Sequence, residues 1–303
     1  MKLFFDNVNF NSTTGPNTFA SRLARELIDH GHEITDSVNC DVHLSFIEQV
    51  TPKNNKSVLV QRLDGIWFKP EEFISMNSGI KRTYQNSDFV VWQSYFDKTM
   101  VTKWWGEKTG EVFHNGINLS RISVTNKDIA SLRASYKLMF VCSASWHRQK
   151  RLKENIELFL KIKDKYPDSC LVVMGSNPDF LLKHKDIFYT GPLPHDICLQ
   201  FFSAADWMIH LAWLDHCPNV VVESLSQLCP VICTDSGGTK EIVRKNGIIL
   251  SEDKKYEYDL LDYDDPYDLS VVSLDLPTVQ IDNSYLDIKK VAQKYIRVLE
   301  ELI

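Results

Sequence analysis

The stretch HLAWLDHCPNVVVE, residues 210–223, sets two carboxylates, Asp215 and Glu223, eight positions apart among mostly apolar neighbours. Paired acids can act as acid and base in cleaving a glycosidic bond. They can equally hold a ligand, because each ionised carboxylate offers two acceptor oxygens, a good match to a vicinal diol. A second group is basic: SASWHRQKRLK crowds His147, Arg148, Lys150, Arg151 and Lys153 at the start of a helical pattern. Cations there oppose the helix dipole, and that cost suggests an anionic ligand such as a diphosphate, with Lys150 its strongest contact; a solvated basic turn is the alternative. A third group is made of glycines that follow strands: Gly15 in STTGPNTFA, Gly191 in YTGPLPHD, and the pair Gly237 and Gly238 in PVICTDSGGTKEIV. Gly15 opens a helix whose amides could approach an anion, and Gly191 lets the backbone come close to a flat ligand. No G-x-G-x-x-G is present, which argues against a dinucleotide redox cofactor.

These groups need elements to position them, and the chain alternates short apolar runs with amphipathic stretches. KLFFDNV, DVHLSFI, SVLVQRL, DFVVWQS and GEVFHNG read as strands, with NTFASRLARELIDHGHEI a helix carrying Phe19, Leu23, Leu27 and Ile28 on one side. After a polar segment near 117–135 the pattern restarts with LMFVCSAS, SCLVVMGS, DIFYTGPL, WMIHLAW and CPVICTDS as strands, and with helices RLKENIELFLKIKDKYP, ICLQFFSAA and NVVVESLSQL between them. Such alternation predicts parallel sheets covered by helices, in two doubly wound domains. The expected boundaries are 1–122 and 123–282, with a terminal amphipathic helix over 283–303 that packs back on the first domain. Ligands of open sheets bind beyond the carboxyl ends of the strands, so a cleft between the two domains is the expected site. Asp215 falls in a loop after WMIHLAW, Pro218 and Asn219 open the next helix, and Glu223 lies in its first two turns.

Composition narrows the function classes. The chain has 303 residues, 44% of them hydrophobic, and a net charge of -6, so polyanion binding is not the default and no nucleic-acid partner is expected. The opening MKLFFDNVNFNST fits neither a secretory signal nor a membrane span, and the expectation is a cytoplasmic protein, peripheral to a membrane at most, with no transmembrane segment. Seven scattered cysteines with no C-x-x-C signal neither a disulfide framework nor a zinc site. No D-x-D follows a strand, so no metal is expected.

Taken in order, RLDGIWF, HNGI, SASWHRQKRLK, YTGPL and DHCPNVVVESLSQLCPVICTDSGGTKEIV resemble the family-4 retaining glycosyltransferases, also called glycosyl transferases group 1. The resemblance implies the GT-B fold, an α/β architecture of two Rossmann-like domains facing each other across a cleft. It implies transfer of a sugar from a nucleotide-diphosphate sugar to a hydroxyl of a glycan, glycoprotein or glycolipid acceptor, with retention and without a cofactor. By resemblance Asp215 stands where a glutamate is more usual and faces the transferred sugar, Glu223 holds the ribose, and Lys150 with Arg148 binds the diphosphate. Gly15, Gly191, Pro218 and Asn219 line the donor, and Asp64 stands near the reacting sugar and acceptor. The chain departs from the pattern at Ser145, where an arginine is usual, and at Leu228 and Cys229, where a glycine is usual and a packing change is expected. An inactive nucleotide-sugar or glycan-binding protein of the same fold, or a nucleotide-sugar epimerase, are the alternatives.

Overall fold

The computed structural model describes residues 1–12 and 14–303; Thr13, one position of the STTGPNTFA turn, lies outside the described residues. The chain divides into two compact units, the first comprising 1–118, 257–261 and 285–303, the second 119–256 and 262–284.

In the first unit β1 (Lys2–Asp6), α1 (Gly15–Asp29), β2 (Glu33–Ile34), β3 (Val42–Phe46), β4 (Val58–Leu63), α2 (Phe73–Asn86), β5 (Phe89–Trp92), α3 (Tyr95–Trp105) and β6 (Gly110–Val112) follow in order. The sheet is wholly parallel with strand order β2-β1-β3-β4-β5-β6, so the winding reverses between β1 and β3. Every residue of β3 and β5 is buried, as a strand covered on both faces requires. Pro16 sits in the first turn of α1, where its missing N–H costs nothing.

The second unit runs α4 (Lys127–Ser135), β7 (Leu138–Ser145), a 3-10 turn (Arg148–Lys150), α5 (Leu152–Lys165), β8 (Ser169–Ser176), β9 (Ile187–Gly191), α6 (His195–Ala204), β10 (Trp207–His210), α7 (Asn219–Ser226), β11 (Val231–Thr234), α8 (Thr239–Val243) and β12 (Gly247–Leu250). Its strands, again all parallel, lie in the order β12-β11-β10-β7-β8-β9. The winding reverses between β7 and β10, and this is the place where open sheets hold their ligands. Residues 251–283 contain no helix or strand. They still contribute Leu269 and Val271 to the core around Phe140, Ile156 and Phe159, and the Ser273 hydroxyl donates to the Lys161 carbonyl at 2.9 Å.

The last helix, α9 (Ile288–Leu302), returns to the first unit. Asp287 caps it by accepting from the Lys289 amide at 3.0 Å, and Ile288, Val291, Ala292, Tyr295, Val298 and Leu299 enter the same core as Phe19, Leu23 and Leu27. Tyr295 lies 5.1 Å from the ring of Phe113 and 6.1 Å from that of Phe19. Helices α2, α4 and α8 and strands β2 and β12 escape the sequence pattern, α4 because it lies in the polar segment near 117–135. α2 runs unbroken through Gly79, but its Asn77 is turned inward to bond both backbone groups of Trp67, so the apolar period is broken. β2, α8 and β12 are too short for any period to register.

Candidate functional site

The second unit carries most of the expected residues, and their positions follow from how β7 and β10 end. Beyond β7 the chain is anchored by Trp146, whose indole donates to the Met174 carbonyl at 2.9 Å, and then tightens through Arg148–Lys150 into Arg151 at φ 53. Asn155, in the first turn of α5, binds both sides of this bend. Its amide nitrogen donates to the carbonyls of Lys150 (3.1 Å) and Arg151 (2.9 Å), and its amide oxygen accepts from the Leu211 N–H just past β10 (3.1 Å). A further bond from the Trp213 amide to the Gln149 carbonyl, 2.8 Å, closes the two segments together.

Asp215 is held from the other side. Gly238 donates its amide to the Asp215 carbonyl at 2.7 Å, and Gly237 adopts φ +66, so close that a Cβ there would stand 2.5 Å from the same oxygen. The glycine pair is therefore explained by the approach of the Asp215 loop. Its carboxylate meets Lys150 Nζ at 2.5 Å, and His210 Nε2 lies 3.6 Å from the same oxygen. Burial alone would raise the Asp215 carboxyl, but the Lys150 charge and the neighbouring His210 hold it far below the ordinary carboxylate range. Partial desolvation, reinforced by Lys150, lowers the exposed His147, and burial lowers His210. His216 falls to about 4, chiefly through burial. The centre is thus one ammonium and one carboxylate among imidazoles that favour the neutral form.

Glu223 sits one turn into α7, after Pro218 at the N-cap and Asn219 as the first helical residue. It is buried, and its Oε1 lies 3.0 Å from Nε2 of His195, which opens α6. Asp215 and Glu223 thus have different partners, Lys150 and His195. Gly191 ends β9 at φ +69 with open space beside its α-carbon. Arg148 is exposed, and among the described residues its guanidinium has no hydrogen-bond or ion-pair partner.

Three expectations about this unit change. Arg151 does not belong with the basic side chains offered to a ligand, because it is buried and bound to both oxygens of Glu252 at 2.7 and 3.0 Å. Lys153 points away to Glu157, one turn along α5, at 3.8 Å. Leu228 is not a packing substitution: it is half-exposed, at φ 63, and closes the end of α7. Ser145, where the resembled family usually has an arginine, is exposed and accepts from the Ser176 hydroxyl at 3.3 Å.

Asp64 and Gly15 belong to the first unit. Gly15 begins α1 beyond β1, on the side of the sheet where the winding reverses. Asp64 follows β4 and pairs with Arg62 Nη1, while Arg62 Nη2 donates to Asn115 Oδ1 at 2.5 Å and its guanidinium lies 4.3 Å from the ring centre of Phe19. Asn155, His195, His210 and Arg62 escaped notice in the sequence; of these, Asn155 left a trace, a polar residue on the apolar side of a helix that follows a basic turn.

Among the described residues no group of three or more His, Cys, Asp or Glu is placed to hold a metal, no helix is long and apolar enough to cross a membrane, and none of the seven cysteines forms a disulfide.

Residues 135–259 match the family model described as Glycosyl transferases group 1. The chain is 32% identical over 84 residues to a protein of Bacillus subtilis (strain 168), the "putative teichuronic acid biosynthesis glycosyltransferase TuaC"; the match covers 27% of this chain and 22% of that protein's length. Among solved structures it is similar to Anabaena Alr3699/HepE in complex with UDP-glucose, with TM-score 0.68, 14% identity, and 99% of this chain and 100% of that one covered. AviGT4, a glycosyltransferase involved in avilamycin A biosynthesis, gives TM-score 0.62 at 12% identity, covering 99% and 97%. WaaG, a glycosyltransferase involved in lipopolysaccharide biosynthesis, gives 0.60 at 12%, covering 84% and 87%. These likenesses show the fold: a two-domain α/β chain of the GT-B type.

Proposed function

We propose that the chain is a glycosyltransferase that moves a sugar from a nucleotide-diphosphate sugar to an acceptor hydroxyl with retention of anomeric configuration, as in family-4 transferases. The observation that carries this reading is the Lys150–Asp215 pair, placed beyond β7 and β10 where the winding reverses, inside the segment that matches the family model. Lys150 is assigned to the diphosphate, with the exposed Arg148 guanidinium two positions before it and the start of α7 at Pro218 and Asn219. Asp215, held as a carboxylate, accepts from hydroxyls of the transferred sugar. Glu223 accepts from the ribose diol, with Gly191 leaving room for the nucleotide. Asp64 and Gly15, on the first unit, are assigned to the acceptor and to the diphosphate.

The bond from the anomeric carbon to the diphosphate oxygen breaks as the bond to the acceptor oxygen forms on the same face, and the acceptor proton passes to the departing diphosphate. The protein's task is to stabilise the charge that develops on that leaving group, which is the role of Lys150 and Arg148. Because HepE is described in complex with UDP-glucose, UDP-sugars are the first donors to test. Wild type incubated with UDP-glucose and sugar acceptors should release UDP and give a product of the donor's anomeric configuration by NMR. Asp215→Ala should abolish this while still folding. Isomerised free nucleotide-sugar with no acceptor consumed would instead identify an epimerase. The serine at position 145 favours the other alternative, a binding protein, and that reading is established if a panel of nucleotide-sugars raises the melting temperature without turnover.

A further inference from the structure

The irregular chain after β12 reaches the back of the Lys150–Asp215 pair. Glu252 receives both terminal nitrogens of Arg151, and the Tyr267 carbonyl accepts a third bond from the same guanidinium at 2.7 Å. Both charged side chains are sealed from water, at 0% and 3% exposure. Trp213 lies beneath them, its ring 4.8 Å from Tyr267, 6.3 Å from Tyr256 and 5.9 Å from the Arg151 guanidinium. Arg151 directly follows Lys150, and Trp213 precedes Asp215 by two residues. One cluster therefore grips both backbones that carry the pair.

Two features argue that orientation, and not bulk stability, is what this cluster supplies. A buried ion pair gives little net stability over a well-packed apolar pair, whereas a two-point guanidinium–carboxylate contact fixes direction. Arg151 also keeps a left-handed backbone that non-glycine residues avoid, which persists only where surrounding contacts over-determine it.

We infer that Glu252, Tyr267 and Trp213, acting through Arg151, are positioning residues that hold Lys150 against Asp215 in the arrangement needed for transfer; the inference rests on the reading of that pair as donor-binding groups. The test uses the full chain with Glu252→Gln, Tyr267→Leu and Tyr267→Phe. Tyr267→Leu removes the ring under Trp213 and leaves the Tyr267 carbonyl for Arg151, so it decides the matter if Glu252→Gln does not fold. The first readout is amide hydrogen exchange at Trp213 and Gly238, whose N–H groups bind the Gln149 and Asp215 carbonyls. The second is kcat and donor KM with UDP-glucose. Exchange at these two amides should speed about tenfold or more relative to β8 in Glu252→Gln and Tyr267→Leu, and kcat should fall about tenfold or more below the melting transition, since misplacing a reacting group by about 1 Å can cost a hundredfold. Tyr267→Phe, which keeps the ring, should behave as wild type. Exchange within twofold of wild type in both disruptive variants overturns the proposal, as does faster exchange with unchanged kcat. If wild type turns over no nucleotide-sugar, the transfer reading falls by itself, and the exchange measurement still decides whether this cluster orders the pair.

Discussion

Lys150 and Arg151 are neighbours in the chain, both basic and both ending on a carboxylate, yet they do opposite things. Lys150 and Asp215 keep side-chain exposures of 21% and 16%, while Arg151 and Glu252 keep 0% and 3%. The first pair is a compact ammonium with three donors, only one of which is needed for Asp215, so it can turn to another anion without leaving a charge stranded. The second is a planar fork with both terminal nitrogens engaged on one carboxylate, and no solvent waits to replace either partner. A cluster of cations in a sequence therefore mixes groups that meet a ligand with groups that brace them, and access to water separates the two.

Breaking each pair should give contrasting results. Glu252→Ala strands the Arg151 guanidinium in the interior and should destabilise the fold by about 3–5 kcal/mol, measured by urea unfolding of the second unit's signals. Lys150→Ala leaves Asp215 partly hydrated, and the loss of stability should be clearly smaller than that of Glu252→Ala. Its effect should appear in turnover instead, as a fall of about 10²–10³ in kcat with a UDP-sugar, the size expected on removing one group that stabilises a developing oxyanion. The contrast fails if Lys150→Ala unfolds the chain as readily as Glu252→Ala does.

The parts of the molecule that could be read beforehand are those with a strong local signal. β7, β8 and β10 are runs of buried apolar residues bounded by turns, and α1 and α9 carry clear apolar stripes, so the two-sheet α/β plan was legible. α2 was not, because Asn77 spends its side chain on the Trp67 backbone, and β12 was not, because four residues give no period. In the site, residue type and place after a strand were enough to single out Lys150, Asp215 and Glu223, and the structure brings the first two together. The partner of Arg151, Glu252, lies 101 positions away in an acidic stretch without pattern, and His195 meets Glu223 across 28 positions. Contacts of that kind are made by the fold and leave no spacing to detect.

Acid should sharpen the difference between the site and its brace. His216 is held near 4 by burial, whereas in the unfolded chain an imidazole takes up its proton near 6.5. Between those values the unfolded state binds more protons, so stability falls as pH drops, with a slope of up to about 1.4 kcal/mol per pH unit. His147 and His210, also lowered, act in the same direction. Asp215 contributes the other way round in mechanism but with the same sign: its depressed carboxyl gives stability that is complete above about pH 4 and is lost only in stronger acid. Urea unfolding from pH 7 to 4.5 should therefore show a steady loss, and His216→Asn should flatten it. A flat wild-type profile over that range would contradict the buried, neutral imidazole.

The smallest effect tests backbone strain at two matched positions. Leu228 stands at φ 63 where α7 ends; its amide binds the Leu225 carbonyl and the Cys229 amide binds the Ser224 carbonyl, both at 3.1 Å, the Schellman closure in which glycine is the favoured residue. Its side chain is 46% exposed and takes no part in either bond. Leu228→Gly removes a left-handed penalty of about 1–2 kcal/mol and loses roughly 0.5–1 kcal/mol to the greater freedom of the unfolded chain, so the protein should gain about 0.5–1 kcal/mol, or about 2 °C in melting temperature. Arg151 has nearly the same φ, at 53, and Arg151→Gly relieves the same strain. There the sign should reverse, because Glu252 is left buried without its partner. If both substitutions stabilise, the guanidinium is dispensable to the turn that carries Lys150; if only Leu228→Gly does, the left-handed turn at 151 is held by its side chain and not by its backbone.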